Sequence, residues 1–73
     1  MHLMTSQEDK AFFSARVSEN LDALYGVAFR LTGKPADAED LVAESVAKAW
    51  AAFGSLDDRS RIRPWLFRIL RNC

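Results

Sequence analysis

The chain has 73 residues, of which 49% are hydrophobic, and it carries equal numbers of acidic and basic side chains. This length holds one small domain and excludes a second, catalytic domain, and the hydrophobic content excludes a disordered chain. One cysteine, Cys73, and one histidine, His2, exclude an internal disulfide and a His/Cys zinc site. A domain this small buries only about 60% of its unfolded surface, so we expect a binding partner to add stability.

The charges are separated along the chain although they cancel in total. All ten acidic side chains lie in residues 1–58, whereas residues 59–73 carry five arginines and no acid. This asymmetry predicts an acidic surface for one partner and a basic end for an anion, for which nucleic acid is the commonest candidate. A solvated basic helix is the alternative. The first ten residues lack the apolar core of a secretory signal, and no apolar run is long enough to span a membrane, so we expect a cytoplasmic protein.

The first predicted helix has apolar residues at three- and four-residue steps and ends at Gly33, which suits a left-handed helix terminus. We expect Thr5 or Ser6 to cap its start. Its apolar residues are Val17, Leu21, Leu24, Tyr25, Ala28 and Leu31.

The second predicted helix begins at Pro35, where a missing N–H costs nothing, and Gly54 is expected to end it. Its apolar side is broad, whereas Asp37, Asp40, Glu44 and Ala47 fall on another face. The apolar side consists of Ala38, Leu41, Val42, Ser45, Val46, Ala49, Trp50 and Phe53.

The third predicted helix begins either after a cap at Ser60 or at Pro64, because a proline inside the first turns disfavours helical geometry before it. Its apolar face is formed by Trp65, Leu66, Ile69 and Leu70, with the arginines elsewhere. No strand pattern is visible, so the sequence predicts an all-α fold, a small bundle of three helices. We expect five of the aromatic side chains of the chain to lie in the core, namely Tyr25, Phe29, Trp50, Phe53 and Trp65.

Catalytic chemistry has no candidate in this sequence. The one histidine, His2, lies in the N-terminal tail, so we expect no Ser/His/Asp arrangement. Gly33-Lys34 reads as a turn, because it is followed by Pro35 and lacks the upstream glycine of a phosphate-binding loop. The acids of the second helix lack the loop that wraps oxygen ligands around calcium. We therefore expect no enzyme activity, no cofactor and no metal.

Two segments carry a family resemblance: Leu24–Val42, which reads LYGVAFRLTGKPADAEDLV, and Pro64–Asn72, which reads PWLFRILRN. With Glu44 and Trp50 between them, they resemble the N-terminal helical domain, conserved region two, of bacterial RNA polymerase sigma factors of the extracytoplasmic-function group. The resemblance covers roughly residues 12–72. It implies that residues 12–73 form the sigma region-two domain, cut short at its C-terminus, after residues 1–11 as a tail and the start of the first helix.

The resemblance implies two binding surfaces in a sigma factor domain that directs transcription initiation. The second helix would dock on the clamp helices of the largest subunit of core RNA polymerase. The polymerase-binding residues would be Asp40, Ala43, Glu44, Ala47 and Lys48. The family usually has glutamine in place of Ala43, a polar contact worth about 1 kcal/mol.

The second implied surface recognises and melts the promoter element nearest the start site by binding the non-template DNA strand. The loop after the second helix would capture an extruded base, and the third helix would follow the strand. The DNA-binding residues would be Ser55, Arg59, Arg61, Arg63, Arg68, Arg71 and Asn72. Asp57 and Asp58 either point away from DNA or bond a base amino group.

A different class of function also fits the sequence. The chain would then be a protein-interaction bundle without DNA binding, whose basic end meets an acidic protein such as an anti-sigma factor, or another copy of itself.

Overall fold

The fold is all-α in the computed structural model, which describes residues 6–73. Helix α1 spans Ser6–Thr32, α2 spans Pro35–Ala52 and α3 spans Ile62–Asn72. Two short 3₁₀ turns, Phe53–Ser55 and Arg59–Arg61, lie between α2 and α3. The described residues contain no strand, so the prediction of a three-helix bundle is confirmed. His2 and the expected cap at Thr5 lie outside the described residues, as do the contacts of the Ser6 side chain.

Helices α1 and α2 are joined by a tight turn that the sequence specifies. Gly33 has a positive φ of 76°, and its amide donates to the Phe29 carbonyl at 2.7 Å, as a helix terminus of this kind requires. The Thr32 hydroxyl donates to the Ala28 carbonyl, and Pro35 opens α2. The chain reverses here, so α1 and α2 pack antiparallel and Phe13 of α1 meets Trp50 near the end of α2.

The core lies where all three helices meet, and small residues let them approach closely. Ala28, Ala38 and Ala49 are fully buried, and Leu24 and Leu70 are the largest side chains with almost no exposure. Each buried leucine stabilises the fold by about 1.5–3 kcal/mol. The other buried apolar residues are Phe13, Val42, Phe53, Ile62 and Leu66.

Several residues predicted to be in the core are exposed. Leu21, Leu31, Phe29 and Trp50 have between 42% and 57% of their surface accessible. The physical reason is coverage: α3 has 11 residues, whereas α1 has 27 and α2 has 18, so α3 cannot cover the apolar sides of both longer helices along their whole length. Phe53 is buried as expected, whereas Tyr25 and Trp65 are half-buried and pack against the core.

The boundaries near α3 also differ from the prediction. Gly54 does not end α2 in a left-handed conformation; α2 ends at Ala52 and Gly54 lies inside a 3₁₀ turn. Ser60 does not cap α3 either, because it lies in the second 3₁₀ turn, and α3 begins at Ile62 rather than Pro64. Pro64 is the third helical residue, where an amide has no intrahelical partner to lose.

Among residues 6–73, no helix combines the length and the apolar character that crossing a bilayer requires.

Candidate nucleic-acid and protein interfaces

The α2 face, defined by Asp40, Ala43, Glu44, Ala47 and Lys48, is exposed at every position. Lys48 Nζ lies 3.4 Å from Glu44 Oε2, an exposed pair one helical turn apart. Asp40 forms no ion pair with any residue in the described range 6–73. The helix therefore presents two carboxylates beside two alanines, and the small side chains leave room for a helix of a partner.

Next to the α2 face lies an apolar groove between α1 and α2, which the sequence reasoning missed. Ala43 and Ala47 belong to both surfaces. The groove has a volume of about 740 Å³, and two charged residues, Lys10 and Glu39, are among those that line it. Its other lining residues include Val17, Leu21, Tyr25, Val46 and Trp50. The signal that could have found it is the length mismatch between the first and third predicted helices, because apolar residues on an uncovered face remain exposed.

The connection between α2 and α3 is held by its own side chains. The Ser55 hydroxyl donates to the Ala52 carbonyl at 2.7 Å. Asp58 Oδ1 accepts from the hydroxyl of Ser60 at 2.7 Å and from its amide at 3.0 Å. These two bonds, the hydroxyl first, hold the pKa of Asp58 below its ordinary value. Asp58 thus caps the second 3₁₀ turn, a role that the sequence reasoning did not consider.

Three of the five predicted arginines share one exposed surface, the arginine face, defined by Arg61, Pro64, Arg68 and Arg71. Arg61 and Arg68 line a shallow pocket of about 430 Å³ together with Leu56, Pro64 and Trp65. Arg71 is exposed one turn beyond Arg68. None of these three arginines forms an ion pair within the described part of the chain. Unpaired guanidinium groups around an aromatic ring are suited to a phosphate backbone with stacked bases.

Trp65 contributes to this pocket and to the core at once. Its ring lies 6.4 Å from the Phe53 ring, centroid to centroid, and it is half-buried. The core contact expected for Trp65 is therefore present, and Trp65 also lines the pocket together with Arg61 and Arg68. Asn72, at the end of α3, is exposed.

The other two predicted arginines point to α1 instead. Arg59 Nη2 lies 2.5 Å from Asp9 Oδ1, and its guanidinium group stacks over Phe12 and Phe53. Arg63 donates to the side-chain oxygen of Asn20, which is buried in α1, and lies over Phe67.

The seven predicted DNA-binding residues thus do not form one group. Because α3 packs against α1 along the flank that carries Arg63, the structure separates Arg59 and Arg63 from the arginine face. Different sides of one helix face different neighbours. A count of charges along the sequence therefore cannot tell which arginines face α1 and which face outward.

Comparison with known proteins agrees with this architecture. The profile of the family Sigma-70 region 2 matches residues 16–73. The chain is 37% identical over 67 residues to the ECF RNA polymerase sigma factor SigG of Mycobacterium tuberculosis, a match that covers 92% of this chain and 18% of that protein. It is 38% identical over 65 residues to SigL of the same organism, which covers 88% of this chain and 37% of SigL.

The chain therefore spans well under half the length of these curated relatives. The family profile, in contrast, matches most of the chain and includes α2, both 3₁₀ turns and α3. On this evidence the chain belongs to the Sigma-70 region 2 family and is a sigma factor domain.

Proposed function

We propose that this domain binds single-stranded promoter DNA through the arginine face and core RNA polymerase through the α2 face. The observation that carries the proposal is the exposed group of Arg61, Arg68 and Arg71, which the fold keeps free of ion pairs within residues 6–73. Three guanidinium groups that contact phosphates release counterions when the DNA binds. We therefore expect the logarithm of the binding constant for single strands to fall with the logarithm of the salt concentration with a slope of about −2.

Promoter recognition needs more than phosphate contacts, and the pocket between Arg61 and Arg68 supplies a candidate. It offers an apolar wall from Leu56 and Pro64, the edge of Trp65 and two planar donors. A base taken out of the stack loses a few kcal/mol of stacking and pairing, which such a pocket returns by stacking and hydrogen bonds. In this proposal the non-template strand lies along the arginine face with one base in the pocket.

Binding of a fluorescein-labelled single-stranded oligonucleotide, followed by anisotropy at several salt concentrations, tests the DNA interaction. Arg68→Ala is expected to weaken binding and to make the salt slope shallower by about 0.7, because one phosphate contact is lost. Arg30→Ala removes the same charge from an exposed site on α1 and is the matched control. If the unaltered chain does not bind at low salt, the DNA-binding proposal is wrong.

The polymerase contact is tested separately with a fragment that contains the clamp helices of the largest subunit. Glu44→Lys places a like charge against a basic partner, and we expect at least about tenfold weaker binding. Asp22→Lys makes the same charge change at an exposed position of α1 and should bind as the unaltered chain does. Equal binding by both variants would exclude the α2 face as the contact.

A second function, association with a helical protein such as an anti-sigma factor or with another copy of the chain, is favoured by the apolar groove. Its exposed Leu21 and Trp50 belong to one contiguous apolar groove, and contiguous apolar surface of this kind is typical of interaction sites. Sedimentation of the chain, with Leu21→Lys as the variant, distinguishes the two functions: a dimer that Leu21→Lys dissociates favours self-association, whereas a monomer that binds DNA favours the first proposal.

A further inference from the structure

A second group of guanidinium groups lies outside the arginine face, on the side where α1 meets α3. Arg16 comes from α1, Arg59 from the second 3₁₀ turn and Arg63 from α3. Together they line a concave site of about 360 Å³, the three-arginine pocket, whose wall includes Phe12, Asn20 and Ser60. Residues distant in sequence are thus brought together by the fold, and Arg16 carried no signal of this role in the sequence.

The aromatic residues around the pocket hold the guanidinium planes in place. Arg16 and Arg59 both stack over the Phe12 ring, at 5.2 and 5.5 Å from its centroid, and Arg59 also lies 4.6 Å from the centroid of Phe53. Cation–π contacts of this kind fix a planar side chain while its N–H donors remain available at the edge. Three forked donors are therefore already oriented around one cavity.

The partners of these arginines within the protein leave donor capacity unused. Arg63 donates to a neutral amide, that of Asn20. Arg16 pairs with Glu19 through Nη2, but its Nε is buried without an acceptor among the described residues. Arg59 pairs with Asp9, and both side chains are partly exposed, by 45% and 31%. Because exposed ion pairs contribute little to stability, an anion of higher charge can replace Asp9 as the partner of Arg59.

From these contacts we propose that the three-arginine pocket binds a phosphate group of the nucleic-acid backbone, and that Asp9 competes with this phosphate for Arg59. The proposal rests on the DNA binding proposed above. Arg59 and Arg61 lie in the same 3₁₀ turn, so a strand on the arginine face reaches the pocket by crossing that turn. Phosphate is the fitting ligand because guanidinium forks match its oxygens and bind them by paired hydrogen bonds.

Two variants with opposite expected effects test this proposal in the same anisotropy assay. Arg16→Gln should weaken oligonucleotide binding about threefold to tenfold and make the salt slope shallower by about 0.7. Arg30→Gln is its control on the same helix. Asp9→Asn should strengthen binding about threefold because Arg59 is released, and Asp22→Asn removes the same charge from another side of α1 as its control. Loss of folding cannot mimic the gain expected for Asp9→Asn.

The outcomes separate this inference from the proposed function. If the unaltered chain binds DNA and Arg68→Ala weakens it, while Arg16→Gln and Asp9→Asn each behave as their controls do, the three-arginine pocket is not a phosphate site and the arginine face stands. If the unaltered chain binds no oligonucleotide at low salt, both proposals fail together. Weaker binding by Arg16→Gln combined with tighter binding by Asp9→Asn would support the pocket.

Discussion

The α2 face and the arginine-rich segment, residues 59–71, are the two charged regions of this domain. They differ in how many of their charged side chains contact another helix. The charged side chains of the α2 face all stay on the exposed side of one regular helix. The arginines are divided: Arg59 and Arg63 contact α1, whereas Arg61, Arg68 and Arg71 point outward.

The difference follows from packing. Helix α2 buries one side only, and its opposite side is exposed, with no packed neighbour among residues 6–73. Helix α3 buries Ile62, Leu66 and Leu70, and the flank next to that row meets α1. A charged residue on such a flank contacts the neighbouring helix, whereas the charges opposite to the row have no contact of this kind among residues 6–73.

The largest effect should come from removing the packing on which both regions depend. Leu70→Ala leaves a cavity beneath α3, and we expect a loss of about 2–5 kcal/mol in the free energy of unfolding, measured by denaturant titration. Leu31→Ala, at a leucine with 57% exposure, should cost less than about 0.5 kcal/mol. Equal costs for the two variants would show that α3 is not packed as described.

A smaller effect separates the two kinds of arginine on α3. Arg63→Ala removes the partner of the buried Asn20 oxygen, so we expect a loss of about 1–3 kcal/mol in stability. Arg68→Ala, on the exposed side, should change stability by less than about 0.5 kcal/mol while it weakens DNA binding. Thermal unfolding of both variants measures the difference. The division of the arginines would be refuted by equal stability of the two variants.

The smallest expected effect concerns the turn that orients the arginine face. The folded-state pKa of Asp58 lies below its ordinary value of 3.8, because Ser60 donates two hydrogen bonds to the carboxylate. This contribution to stability is complete above the unfolded pKa and disappears as pH falls through the lower, folded-state pKa. The amide resonance of Ser60 should therefore titrate with a midpoint below 3.8 and lose this titration in Asp58→Ala but not in Asp57→Ala.

Much of the fold was predictable from the sequence. Gly33 and Pro35 fixed the α1–α2 turn, and helical periodicity identified Leu24, Leu66 and Leu70 as core residues. Exposure of Leu21 and Trp50 was not predictable in the same way, because a periodic pattern shows which side of a helix is apolar and not how much of it a neighbour covers.

The candidate sites were also predictable to different degrees, because a pattern within one helix does not show its contacts with other segments. Asp40, Glu44 and Ala47 of the α2 face follow from the periodicity of one helix, and Ala43 and Lys48 were added by the family resemblance. The role of Arg16 and the contacts of Arg59 depend instead on residues from distant segments. The polymerase and DNA contacts themselves stay predictions. Asp58 shows the same limit at short range: its cap on the turn depends on the backbone conformation of residues 58–60.

The central claim is that DNA and polymerase bind to separate surfaces of one small domain. Amide and arginine Nε resonances, followed by NMR while a single-stranded oligonucleotide is added, test it most directly. On addition of DNA we expect shifts in residues 55–72 and around Asp9 and Arg16 of α1, with the resonances of residues 37–48 unchanged. When the clamp-helix fragment is added, we expect residues 37–48 to shift and the DNA-responsive resonances to stay unchanged. Shifts caused by DNA that centre on the α2 face, or that spread evenly over all three helices, would contradict it.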